Sequence, residues 1–199
     1  MNFLAHAHLS GNNSELLFGN FIADAVKGNA SLKYKDDVLA GIVLHRKIDT
    51  FTDAHPVHKK SRDTIRQDFG KFSGIVVDIY YDHFLAKQWE MFSDIPLEKY
   101  TSNVYKLLSK RFLLLPNKTK RILPFMISQN WLLNYANFTG LENVFYGMNR
   151  RTNYLSGMHN AVEVLKKNYA GLNSDFNNFY PQLMEYAESS IEESKQDKL

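Results

Sequence analysis

Period-two alternation is nearly absent from this chain, and its apolar residues return instead every three or four positions. That periodicity argues against sheet and predicts helices over 12–27, 34–52, 56–68, 71–92, 96–110, 117–137, 140–150, 157–170 and 173–190. Asn12 and Asn13 stand ahead of the first helix as N-cap candidates, and Gly28 follows it as a stop. The five prolines fall mostly where helices should start or bend, and no repeat, low-complexity tract or linker divides the chain. The expected architecture is all-α, a single compact multi-helix domain over residues 1–199. Its last dozen residues, 188–199, are charged and apolar-poor and are expected to fray.

Composition narrows the function classes. With 199 residues, 44% of them hydrophobic, the chain can bury a substantial core without disulfides. It has no cysteine, which excludes a disulfide scaffold, a zinc-thiolate site and a cysteine nucleophile together. No run approaches the roughly 20 apolar residues of a membrane span, and the N-terminus lacks a basic region and a long apolar run. A soluble, cytoplasmic protein with no membrane association is the expectation. A net charge of +3 suits an acidic partner but falls far short of a nucleic-acid signature.

The stretch HRKIDTFTDAHPVHKK, residues 45–60, holds three histidines and two aspartates. Six of the seven histidines and nine of the twelve aspartates lie within the first 83 residues, which places a candidate site in the N-terminal half. Helical phase sharpens this. On the 34–52 helix Val38 and Ile42 define an apolar stripe, and His45 and Asp49 fall within roughly 40° of it at about 100° per residue. They are four apart and share one face. On the 71–92 helix Phe72, Ile75, Val76 and Ile79 form the inward stripe, Asp82 and His83 continue it, and Asp78 sits at its edge. Asp24 shares a face with Leu17 and Phe21. Unpaired buried carboxylates are costly, so these groups need a cation, a hydrogen-bond network or a metal. A divalent ion would satisfy several at once.

Other charged and aromatic residues admit plainer readings. His83 taken alone fits a hydrogen-bonded core histidine. His6 and His8 would diverge on a helix and share a side in an extended segment. His55, before Pro56, fits a turn just ahead of a helix start. His58, Lys59, Lys60, Arg62 and Arg66 read as a solvated helix face, or as a basic rim for an anionic partner. Trp131 and Tyr135, four apart, could line a pocket or simply pack in the core, and Arg150 and Arg151 end a helix where they could hold phosphate or complement the dipole.

Four blocks, MNFLAHAHLS, GNFIAD, GIVLHRKIDTFTDAHP and VVDIYYDHFLAKQW, followed by MNRRTN and FYPQL, resemble the signature of the acyl carrier protein phosphodiesterase family over nearly the whole chain. The resemblance implies a divergent helical relative of the HD-type phosphohydrolases. It implies hydrolysis of the phosphodiester joining 4′-phosphopantetheine to a serine of the strongly acidic holo-acyl carrier protein, with Mn²⁺ (or Mg²⁺) as the metal. The chain has no contiguous His-Asp doublet; Asp82-His83 is the nearest, in reversed order. On this reading Asp24, His45, Asp49, Asp78 and Asp82 hold the metal, while His83 or His6 orients water or protonates the leaving serine oxygen. Arg46 clamps the phosphate, and Lys59, Lys60, Arg62, Arg66, Arg150 and Arg151 steer the carrier protein. The alternatives are a similar phosphohydrolase acting on a nucleotide or other small phosphoester, and a non-catalytic helical binding module.

Overall fold

A computed structural model describes residues 1–196; residues 197–199 and the side chains of Leu32 and Arg151 lie outside the described set. Eleven α-helices follow in order: α1 (Phe3–His8), α2 (Ser14–Ile22), α3 (Asp36–Ala54), α4 (Pro56–Thr64), α5 (Arg66–Phe69), α6 (Ser73–Lys87), α7 (Leu97–Lys110), α8 (Asn117–Ser128), α9 (Trp131–Asn134), α10 (Phe138–Arg151) and α11 (Ala161–Gln196). Short 3-10 turns join several of them, and no strand occurs among the described residues. The protein is all-α in one compact domain, and no helix is long and apolar enough to cross a membrane.

Local chemistry explains the helix starts near the site. The Asn13 side chain accepts from the amides of Glu15 and Leu16, satisfying two of the donors a helix leaves open at its N-terminus. At α4, His55 is the N-cap, its Nδ1 accepting from Val57 N, and Pro56 takes the first helical position. The helix α1 is capped from a distance: Asp82 on α6 accepts from Leu4 N at 2.8 Å and Ala5 N at 3.2 Å. A carboxylate at a helix N-terminus also opposes the positive end of the dipole.

The pairing of α2 with α3 depends on two glycines. A Cβ on Gly19 would lie 2.0 Å from the Val38 carbonyl oxygen, and one on Gly41 would lie 2.2 Å from that of Leu16. Only hydrogen at both positions lets the two backbones approach this closely. The approach brings Asn20 on α2 against His45 on α3.

The helix α6 runs through the centre, buried on nearly every side from Val76 to Ala86. Its Tyr80, Tyr81 and Phe84 are fully buried, as are Phe176, Phe179 and Tyr180 of α11. Each such side chain stabilises the fold by roughly 1.5–3 kcal/mol. That packing explains one departure from the sequence expectation. Two helices are predicted over 157–170 and 173–190, yet α11 is continuous through Gly171 and Pro181. Burial of Leu165, Leu172, Phe176, Phe179 and Leu183 outweighs local costs of about 1 kcal/mol for glycine and 3 kcal/mol for proline. Residues 188–196, where fraying is predicted, are helical; 197–199 lie outside the described residues.

Two further helices differ from expectation. The predicted helix 12–27 ends at Ile22 and tightens into a 3-10 turn, Ala23–Ala25, which carries Asp24. The predicted helix 117–137 splits into α8 and α9 where Asn130 adopts the left-handed conformation, with φ of 45°. Asparagine tolerates that region because its short polar side chain bonds locally.

Candidate metal centre

Two helices and a turn bring four titratable side chains together. The imidazoles of His6 (α1) and His45 (α3) stack, with ring centroids 3.9 Å apart and planes 22° from parallel. Asp49 bridges them, its two carboxylate oxygens 3.2 Å from His6 Nε2 and 3.2 Å from His45 Nε2. Asp24 Oδ1 lies 3.4 Å from the same His45 nitrogen.

Asn20 sets the orientation of both rings. Its Nδ2 donates to the His6 carbonyl at 2.9 Å and to Ser10 Oγ at 3.0 Å, so its Oδ1 is free to accept. That one oxygen receives His6 Nδ1 at 2.9 Å and His45 Nδ1 at 3.1 Å. Both imidazoles therefore carry a proton on Nδ1 and turn Nε2 toward the carboxylates. Both Nε2 atoms are buried, and neither has a well-aligned hydrogen bond. Two lone pairs aimed at carboxylates are repulsive until a cation stands between them, so the donor set fits a metal ion. His6, His45 and Asp49 each offer one ligand atom, all within 4.8 Å of one another, and Asp24 adds a second carboxylate beside His45.

Without a metal, a proton takes that place. Burial disfavours charge on His45, but the facing Asp24 and Asp49 outweigh it and hold its pKa up at about 9. Burial and the neighbouring His45 lower the pKa of His6, so one ring of the stack stays neutral. Burial would raise Asp49, yet the two imidazoles press it well below the ordinary carboxylate range, and His45 lowers Asp24 likewise.

The cluster ends a cavity of about 470 Å³. Asp24, His45, Asp49, Asp53 and Asp78 supply its acidic lining, and Thr52 lines it too, its buried hydroxyl without a hydrogen-bond partner among the described residues. The apolar part of the lining includes Ile75, Ile122, Trp131, Val144 and Met148. Among the described residues, Lys118 is the one Lys or Arg on the lining.

The remaining sequence candidates divide. Asp78 lines the cavity but is engaged by the Met1 amino group at 3.0 Å and His58 Nε2 at 3.1 Å. Burial would raise its pKa, but those two neighbours lower it to about 2. Asp82 is fully buried on the α1 amides, and burial pushes it up to about 7. His83 leaves the cluster entirely. Its Nδ1 donates to the Tyr135 carbonyl at 2.7 Å, its Nε2 faces Tyr169 Oη at 3.1 Å, and it borders a different cavity with Lys87 and Lys166. The reversed doublet thus points its two members at unrelated partners. Arg46 is exposed and does not line the cavity.

The expected basic rim is largely neutralised. Lys60 pairs with Asp175 at 2.6 Å, Arg62 with Asp53 at 3.6 Å and Arg66 with Asp63 at 3.5 Å. Lys59 and Arg150 are exposed, and the Arg151 side chain lies outside the described set. His58, read from sequence as part of a solvated face, is 1% exposed, held between α4 and α6 against Tyr81 and Phe179. His8 diverges from His6 as helical geometry requires, bonding Tyr180 Oη and the Phe92 carbonyl. Asn20 and Thr52 went unread in the sequence, although each carried a signal. Asn20 follows Leu16 and Leu17 at helical spacing, and Thr52 continues the face of His45 and Asp49.

Fold and cluster together define a class: an all-α protein with a candidate divalent-metal centre at one end of a half-apolar cavity. The sequence model of the family described as acyl carrier protein phosphodiesterase matches residues 1–183. The chain belongs to the acyl carrier protein phosphodiesterase family. A relative of that name from Photorhabdus laumondii is 34% identical over 190 residues, covering 95% of this chain and 96% of its own. Those from Pectobacterium atrosepticum and Escherichia coli O6:H1 are 30% and 34% identical, over 95% and 94% of this chain and 98% and 97% of theirs. No solved structure matches the chain.

Proposed function

We propose that this protein is a cytoplasmic, divalent-metal-dependent phosphodiesterase that cleaves 4′-phosphopantetheine from the serine of holo-acyl carrier protein, leaving the apo-protein. The observation that carries the metal dependence is the pair of buried, unpartnered Nε2 atoms of His6 and His45 facing Asp49 and Asp24. The names of the family and its relatives support the substrate.

His6, His45, Asp49 and Asp24 would hold the ion. Two imidazoles beside two carboxylates suit Mn²⁺ better than Mg²⁺, which prefers oxygen ligands. When bound, such an ion activates water and neutralises charge developing on phosphoryl oxygens. The chain's own residues do the rest. Asn20 fixes both ring tautomers from behind, as outer partners of metal-ligating histidines do. The Thr52 hydroxyl, buried at the lining without a partner among the described residues, is a donor that a side-chain rotation would turn toward a substrate oxygen. Asp78, kept ionised beside the Met1 amino group and His58, can accept a hydrogen bond from water on the acidic lining. Lys118, on the same lining, offers a cation to the phosphodiester, a role the sequence reading gave to Arg46. The apolar wall gives the uncharged part of the pantetheine arm a surface away from water.

The test is the intact mass of holo-acyl carrier protein after incubation with this protein and Mn²⁺, beside an EDTA control. Metal-dependent loss of the phosphopantetheine mass supports the reading. Unchanged mass, with hydrolysis of a free small phosphodiester, would transfer the activity to a small-molecule substrate. A melting temperature insensitive to Mn²⁺ would remove the metal centre, since an ion that binds the folded state stabilises it by mass action.

A further inference from the structure

The distribution of charge along the chain has a second asymmetry, in a segment outside the candidate metal centre. From Lys99 to Leu141 there is no Asp or Glu, while seven Lys or Arg fall in those 43 residues. Of the chain's 24 basic and 21 acidic residues, 17 basic and all 21 acidic ones lie elsewhere, so the rest of the molecule is net negative. The positive charge is gathered on α7, α8 and the turn between them.

On α8, Lys118, Arg121, Ile122 and Phe125 stand at i, i+3, i+4 and i+7, one face of the helix. Thr119, Leu123 and Met126 take the buried side. Lys118 and Arg121 are exposed, and no carboxylate pairs with either among the described residues. Phe125 is 60% exposed. Lys120 donates to the Leu113 carbonyl at 2.9 Å, which ties the exposed turn Phe112–Leu114 to the flank of the same helix. Basic and apolar side chains therefore share a strip on which Lys118, Arg121 and Phe125 are exposed and Ile122 is half-buried. Its near end is the cavity itself, because Lys118 and Ile122 also line the space that holds Asp24, His45 and Asp49.

We infer that this face of α8 is the docking surface for an acidic protein whose contact face also carries apolar side chains, and which delivers a phosphodiester-linked arm into the cavity. The inference rests on the reading above for the identity of the arm. Three observations select the occupant. The charge is complementary to an acidic face and is not neutralised internally, unlike that of Lys60, Arg62 and Arg66 on α4. Ile122 and Phe125 offer apolar contact beside the cations, which raises affinity where charge mainly raises the encounter rate. The strip is continuous with the cavity, so a partner seated on it has its attached arm beside the metal centre. A free small phosphodiester would need the cavity but not the strip.

The experiment compares Arg121→Glu, the double variant Arg121→Glu/Phe125→Ser, and Lys167→Glu, an exposed site on α11 with the same change in net charge as Arg121→Glu. Affinity for holo-acyl carrier protein is measured at low and high salt, and kcat/KM is measured for the carrier and for bis(p-nitrophenyl) phosphate. The expected result is a loss of carrier affinity of about tenfold or more in the double variant, with a shallower salt dependence. The ratio of carrier to small-diester kcat/KM falls by a similar factor, and Lys167→Glu stays within about twofold of wild type. Arg121→Glu alone gives a smaller loss in the same direction and guards against misfolding of the double variant.

Carrier affinity unchanged in the folded variants would overturn the surface while leaving the phosphodiesterase reading intact. So would a loss confined to binding of phosphatidylglycerol vesicles, which would make the strip a lipid contact. Wild-type protein that binds the carrier through this face but never yields apo-protein would confirm the surface and sink the phosphodiesterase reading.

Discussion

Asn20 Oδ1 sits 3.1 Å from His45 Nδ1 and also takes His6 Nδ1, so one amide oxygen on α2 determines what two histidines from different helices present to the cavity. Asn20→Ala removes that acceptor and strands two buried N–H groups. Loss of such an outer partner typically lowers metal affinity by about 10–100-fold. Titration of the variant with Mn²⁺ against a competing chelator should show that loss. Affinity within about threefold of wild type would mean the rings are oriented by their stacking alone.

The pH dependence has a definite sign. His45 holds its proton up to about pH 9 in the metal-free protein, and a metal must displace it. Mn²⁺ affinity should therefore rise with pH up to about 9 and flatten above it. The metal-free fold behaves in the opposite sense. A histidine whose pKa is raised on folding contributes stability that is complete below its ordinary value of 6.5 and is lost as pH climbs through 9. Melting temperatures in EDTA should fall across that window, and Mn²⁺ should recover more of the loss at each higher pH. A melting curve flat from pH 6 to 9 in EDTA would contradict the charged His45.

Asp49 and Asp82 make a contrasting pair. Asp49→Asn removes the carboxylate that both Nε2 atoms face, and the Mn²⁺-induced rise in melting temperature should vanish with it. Asp82→Asn keeps one acceptor for the α1 amides and should leave Mn²⁺ affinity within about threefold, since Asp82 caps a helix. Burial raises the Asp82 pKa from 3.8 to about 7, so the carboxylate's ionisation penalty builds as pH rises through that interval. The amide carries no such penalty, so the variant should be more destabilising at pH 5 than at pH 8. Paired calorimetric scans at those two values would show it. Loss of metal binding in Asp82→Asn would return that residue to the ligand set.

Gly41 is where fold and centre meet mechanically. A Cβ there would lie 2.2 Å from a backbone oxygen of α2, which no rotamer change can relieve. Gly41→Ala must push α2 from α3, a strain of about 1–3 kcal/mol by analogy with overpacked cores. For a chain of this size that is a fall in melting temperature of roughly 3–10 °C. Because the same displacement separates Asn20 from His45, Mn²⁺ affinity should fall as well. A variant that loses stability but keeps full metal affinity would show that α2 and α3 slide without disturbing the centre.

His45 and Asp49 could be read from the sequence because the face a helical residue occupies is local geometry: 3.6 residues per turn place both beside Val38 and Ile42 whatever surrounds the helix. The all-α class follows from the same periodicity, as does the divergence of His6 from His8 once that segment is helical. Facing inward, however, does not specify a partner. Asp82 and His83 continue one predicted stripe, yet one caps α1 and the other bonds the Tyr135 carbonyl. Which segments meet α6 is decided by packing between residues far apart in the chain. The stacking of His6 on His45, the shared acceptor Asn20 and the basic strip opening into the cavity arise in the same way. Sequence periodicity determined which side chains share a helix face, while tertiary packing decided whether that face was covered, as at His58, and which side chains came within bonding distance.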